Sequence, residues 1–353
     1  MVQRPSNAWR RALPRRSWTK TRARCPPKTA RQPARRSPAC FASHRLQRLH
    51  ESRVEPSGPR ADSCRVLRIK RPKPPADYPA KARQALRRIH ADIAAGRAPA
   101  FDERIWKAHK GAFSAAQRDK CGYCEQPSLN HPGAVDHYAP KKEVQELADP
   151  GAEHILTASV PDRRTPPISR RGYWWLAYNW NNWLFVCERC NTGWKRGLFP
   201  VRENPRSLPP DRAAKETPLL LNPFGRIDPI FHLSFSRLGQ IAPRNGSAYG
   251  EATIETCGLD RESLRRQRQG IAADVNRHTD RLQRALNDQD FQRAHDAVMD
   301  LLSLGAEARP HTGMVRSIVW AKLDCRWPDL ERLEAKLLAR TRPRVAARRR
   351  GRR

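Results

Sequence analysis

The sequence predicts an α+β protein, with a metal-stapled central segment enclosed by helices and flanked by basic tails. Two CxxC pairs, Cys121-Gly-Tyr-Cys124 and Cys187-Glu-Arg-Cys190, bracket a 62-residue insert that contains strand-like text. Apolar residues recur at helical spacing before the first pair and again beyond position 260. The two ends of the chain are rich in Arg and lack either periodicity.

Taken in order, residues 1–65 form a basic Pro/Arg-rich extension. The first fifty residues hold fourteen Lys and Arg and no Asp or Glu, so this segment cannot bury enough apolar surface to offset its ordering entropy and is expected to be disordered. Three readings fit it: a nucleic-acid-binding arm, an organellar leader, or an upstream extension outside the working protein. The third is favoured, because the text from Val66 looks like a fresh start running straight into a helix. Residues 66–120 are expected to form N-terminal helices, one from Ala80 to Gly96 and one over 102–118. Residues 121–200 make the central module, interrupted by a polar, Pro-containing loop over 149–171. In residues 201–340 a loop leads to PLLLNPF and then to a hairpin around Leu238-Gly239. Helices follow: one capped by Asp260 with Leu264 facing inward, then others over about 288–304, 312–324 and 328–340. Residues 341–353 are a basic tail; from Arg340 onward there are eight arginines.

Charge narrows the partners. The 353 residues include 69 Lys and Arg against 35 Asp and Glu, a formal net charge of +34, which points to polyanions and, among these, nucleic acid. No stretch reaches the roughly 18 consecutive apolar residues of a membrane helix, and no secretory signal opens the chain. The expected location is cytoplasmic. Nine cysteines, an odd number, argue against a disulfide framework and for metal or thiol chemistry.

The two-residue gap in each CxxC pair lets both thiolates reach one ion at about 2.3 Å, and four such sulfurs make a closed tetrahedral zinc site. Two unrelated pairs or a redox dithiol would be the plainer reading. Cys25, Cys40, Cys64, Cys257 and Cys325 show no pairing and are read as ordinary thiols. Inside the insert, Asp136 and His137 stand side by side in VDHYAPK. On a strand, neighbours point to opposite faces, so one can bind metal while the other handles a proton. Asn182 lies five residues before Cys187, Asn191 follows Cys190, and Lys195 comes four residues later. The aromatic run at 173–185 is read as core beneath the metal site, with Trp and Leu at helical spacing, rather than as a platform for stacked bases.

This array, CxxC, DHxxP, N-x4-CxxCN and then Lys, resembles the HNH nucleases. More narrowly, GYWWLAYNWNNWLFVCERCNTGWKRGLFP with DHYAPK and PLLLNP resembles the HNH proteins of retron and Septu-type anti-phage systems, over roughly residues 67–280. The resemblance implies a ββα-metal fold in which a hairpin and a helix surround one catalytic divalent ion. It implies His137 as general base, Asp136 and Asn191 as ligands of catalytic Mg²⁺ or Mn²⁺, and Asn182 as the brace of the base-bearing loop. Lys141, Lys195 and Arg196 become contacts to nucleic acid, and Cys121, Cys124, Cys187 and Cys190 ligands of structural Zn²⁺. Asn191 stands where many members carry a final histidine, and Ala139 where the narrower group often has Arg.

The implied activity is metal-dependent hydrolysis of DNA, or of RNA, by the effector of a bacterial defence system with a separate ATPase partner, since no GxxxxGK[ST] loop occurs. The rivals are a non-catalytic zinc-stabilised nucleic-acid-binding module and a partner-recruiting scaffold.

Overall fold

The computed structural model describes residues 69–128, 132–144, 170–202 and 216–341. The basic extension, nearly all of the 149–171 loop and the C-terminal tail lie outside these residues. The described part is a mostly helical α+β protein, and among the described residues no helix is long and apolar enough to cross a membrane.

Helix α1 (Tyr78–Ala94) has a proline in its first turn and buries Tyr78, Ala85 and Ile89. Its seven- and four-residue spacings lay these side chains along one face. The next segment was expected as one helix over 102–118; instead it forms two, α2 (Glu103–Lys107) and α3 (Lys110–Ala116). The break falls at Ala108–His109. Trp106 and Phe113 are both buried in one aromatic core, and His109 meets Tyr78 edge-on at 5.3 Å and Trp180 at 5.0 Å.

At the centre, β1 (Ala134–His137) pairs antiparallel with β4 (Trp183–Val186), in the register Val135↔Phe185, Asp136↔Leu184, His137↔Trp183. The two-residue period of a strand sorts the pair into two faces. Val135, Trp183 and Phe185 join the aromatic core with α1–α3, while Leu184 and Val186 enter a second core with Cys121, Cys124 and Cys190. A short pair, β2 (Glu143–Val144) with β3 (Arg170–Arg171), closes the base of the insert. Gly172 follows it because the returning strand crosses the Pro140–Lys142 backbone too closely for any side chain: a Cβ there would stand 2.6 Å from the Pro140 carbonyl oxygen.

The aromatic run is core, but not helical. It folds as two 3₁₀ turns, Trp174–Leu176 and Trp180–Asn182, which lead into β4, and it buries Tyr173, Tyr178, Trp180 and Trp183. After β4 the chain passes Cys187 and winds into a wide helical turn, Arg189–Lys195.

The hairpin β5 (Leu233–Phe235) and β6 (Ile241–Pro243) turns at Gly239, as expected. Helix α4 (Ala248–Cys257), capped by Ser247, ends at Gly258 in the left-handed conformation. The Trp194 ring lies so close to Gly258 that a Cβ would overlap it at 2.0 Å. The long helix α5 (Glu262–Asn287), α6 (Phe291–Leu304), α7 (Thr312–Leu323) and α8 (Trp327–Thr341) share one apolar core, with α6 packed against both α5 and α8. Leu264 faces inward as expected. The residue at the cap is Arg261 rather than Asp260, and its side chain makes no capping bond.

Candidate metal centre and adjoining cleft

Cys121, Cys124, Cys187 and Cys190 meet across the module, their four sulfurs all within 4.8 Å of one another. None is in a disulfide, and Cys121, Cys124 and Cys190 are buried. The Cys124 and Cys187 sulfurs stand 3.8 Å apart, and a zinc tetrahedron with 2.3 Å bonds has edges of about 3.8 Å. Thiols packed this closely cannot all ionise alone. Burial pushes Cys121 well up, while hydrogen bonds from the other three thiols hold Cys187 far below its ordinary value. Four soft donors at that spacing fit a zinc ion, and the cluster is consistent with a zinc site.

The first knuckle reaches both ways. Tyr123, between its two cysteines, donates its hydroxyl to Asp136 Oδ2 at 3.1 Å. On the other side Lys120 donates to the Arg309 carbonyl and the Thr312 hydroxyl, Glu125 accepts from the Gly313 amide at 2.9 Å, and Gln126 donates to His311 Nε2. The knuckle thus joins the central strands to the start of α7.

Asp136 and His137 lie on opposite faces of β1 and are each 5% exposed. The Asp136 carboxylate also meets the ammonium of Lys195, Nζ to Oδ1 at 3.2 Å. Burial raises the carboxyl above its ordinary value, opposed by Lys195 and by the Tyr123 hydroxyl. His137 Nε2 lies 2.9 Å from the Ala177 carbonyl oxygen. A carbonyl only accepts, so this nitrogen carries the proton and Nδ1 keeps its lone pair. That lone pair faces Lys141 Nζ at 3.4 Å. Burial, followed by the Lys141 charge, drives the imidazole well below its usual value, so the ring is neutral. Burial also lowers Lys141 to about 8, and its ammonium stands 4.5 Å from the Trp106 ring.

Asp136, His137, Lys141, Asn191 and Arg196 all line one cleft of about 270 Å³, together with Lys142 and Glu143. Asn182 lies behind it. Its Oδ1 accepts from the Ala139 amide, and its Nδ2 donates to the Ala139 and Leu176 carbonyls, tying the loop after His137 to the turn before β4. Lys195, expected at the nucleic acid, is fully buried; its ammonium is bonded to Asp136 and to the His137 carbonyl. Sequence reasoning missed Tyr123 and Arg261. The position of Tyr123 inside a metal knuckle was an available signal. Nothing local marked Arg261, whose guanidinium reaches Cys190 from 71 residues away.

No family model and no solved structure matches the chain. Over 176 residues the sequence is 35% identical to Septu protein PtuB of Bacillus mycoides (strain KBAB4), a match covering 49% of this chain and 52% of that protein. The chain spans about half the length of the curated relative it matches, and over that half it is homologous to a Septu protein.

Proposed function

We propose that the chain is a metal-dependent HNH endonuclease that hydrolyses phosphodiester bonds of DNA as an effector of anti-phage defence. The observation that carries the reading is the cleft itself: Asp136, His137 and Asn191, contributed by β1 and by the turn that follows β4, line one opening together with Lys141 and Arg196. An antiparallel pair followed by a helical turn is the arrangement expected of a ββα-metal core. The likeness to a Septu protein supports the defence assignment.

In this reading His137 Nδ1 takes the proton of the attacking water, while Nε2–H stays on the Ala177 carbonyl and fixes the ring. Lys141, beside that nitrogen, and Arg196 draw in the phosphate. Asp136 and Asn191 would hold Mg²⁺ or Mn²⁺: both line the cleft and carry hard oxygen donors, and the Asp136 carboxylate has lone pairs beyond those engaged by Tyr123 and Lys195. When bound, the ion supplies positive charge to the phosphate and the leaving oxygen. Asn182 keeps the loop after His137 in place. The family resemblance adds an ATPase partner that gates cleavage; full-rate cutting by the purified chain alone would refute the gating.

A second reading, a non-catalytic zinc-stabilised nucleic-acid-binding module, is favoured by one observation, the buried Asp136–Lys195 ion pair, which gives Asp136 a structural partner. Plasmid and single-stranded DNA incubated with Mg²⁺ or Mn²⁺ separate the two. The enzyme reading expects cleavage that falls by about 10² to 10⁴ in His137→Ala with DNA binding retained. Equal inertness of the wild type and His137→Ala, with binding intact, would favour the module.

A further inference from the structure

Four thiolates around Zn²⁺ carry a net charge of about −2, and in this protein that charge would sit in an apolar core. Buried charge is costly unless it is opposed. Two buried cations at the beginning of α5 lie by the cluster: Arg261 on Cys190, and Arg268, which lines one cavity with Cys121 and Cys124. Arg261 is 8% exposed, and both its Nη1 and Nη2 lie 3.6 Å from Cys190 Sγ. One heptad on, Arg268 is 2% exposed, with Nη1 donating to the Leu259 carbonyl. Neither guanidinium has a carboxylate within ion-pair distance among the described residues.

The position of Arg261 is otherwise unfavourable. It occupies the N-cap of a 26-residue helix without capping it, and a cation at a helix N-terminus opposes the macrodipole. We infer that Arg261, supported by Arg268, is the counter-charge of the zinc–thiolate centre, so that zinc loading couples the central module to the C-terminal helices. The inference rests on the cluster holding zinc and is independent of nuclease activity. The local bonds agree with it. The Cys190 thiol lies 3.8 Å from the Cys257 carbonyl, a contact that ionisation abolishes, and Arg261 Nη1 donates to that carbonyl at 3.1 Å as well as to the Gly258 carbonyl at 2.9 Å. The carbonyl therefore keeps a donor when the sulfur is a thiolate.

The test uses the full chain and reads the metal site rather than activity. Arg261→Gln keeps a polar side chain and removes the charge. In competition with a chromophoric chelator it should bind zinc about 10- to 100-fold more weakly than wild type, the range found when outer-shell partners of metal ligands are lost. In the cobalt-substituted protein the thiolate-to-metal charge-transfer band should move to longer wavelength as the N–H···S bonds disappear. A folded Arg261→Gln protein with zinc affinity within twofold of wild type, or with an unmoved band, overturns the inference. Should that variant not fold, Arg268→Gln carries the test. Having no bond to sulfur, it should weaken zinc severalfold while leaving the cobalt band in place, and wild-type affinity there would overturn the counter-charge role.

Discussion

The hydroxyl of Tyr123, a residue held between two cysteines of the metal cluster, donates to Oδ2 of Asp136 at 3.1 Å. The metal knuckle therefore sets the orientation of the carboxylate of a cleft-lining residue. Tyr123→Phe removes this bond alone and leaves the ring in its core. Unfolding should become easier by about 1 to 3 kcal/mol, the cost of an unmatched buried partner. Zinc content should be unchanged, and in the cleavage assay kcat should fall more than KM rises. Wild-type stability would show that the bond does not constrain Asp136.

Lys195 and Asp136 form a buried pair at 3.2 Å, with side chains 0% and 5% exposed. Removing one member strands the other, at a cost of about 3 to 5 kcal/mol. Lys195→Met should destabilise the protein by about that much. Adding Asp136→Asn should restore much of the loss, measured as coupling in a double-mutant cycle by denaturant unfolding.

Asn182 holds Ala139 through both its amide and its carbonyl. In Asn182→Ala, protease accessibility of the loop after His137 should increase and stability should drop by about 2 kcal/mol, since two buried backbone groups lose their partners. The DNA binding proposed above, assigned to charges outside this brace, should change little.

Zinc removal should be more damaging than any of these. Apparent binding free energies of structural zinc are of order 10 kcal/mol, so Cys121→Ser should fail to give a stable, zinc-containing module. Cys257→Ser, a buried thiol outside the four, should retain one zinc per chain by elemental analysis.

His311 is 2% exposed, and burial lowers it to about 3. A histidine kept neutral on folding contributes stability that is complete above its unfolded value, about 6.5, and is lost as pH falls from there toward 3. Between pH 7 and 5 the wild type should lose up to about 2 kcal/mol through this group. His311→Gln should lack that part of the pH dependence. Acid release of zinc is common to both proteins, so the difference between their unfolding curves isolates the histidine.

Legibility followed locality. Helices α6, α7 and α8 fall within a few residues of where they were expected; α6 and α8 each have one apolar stripe facing one core, whereas α7 is buried on most sides. The expected helix over 102–118 forms as two, although Trp106, His109 and Phe113 keep the three- and four-residue spacing of one helical face. Likewise the run at 173–185 carried Trp at helical spacing, yet pairing with residues 134–137 made its end a strand. Asp260 looked like a cap; the fold instead used the next residue, and turned it toward sulfur.

By itself the sequence determined the donor set of four thiols and, through the two-residue period of a strand, the opposite facing of Asp136 and His137. Tertiary structure alone decided which polar groups meet: Lys195 at Asp136, Lys141 at His137, Arg261 at Cys190. The physical reason is that ligand spacing and strand alternation are properties of neighbouring residues, whereas the cost of burying a charge depends on which distant segment folds against it.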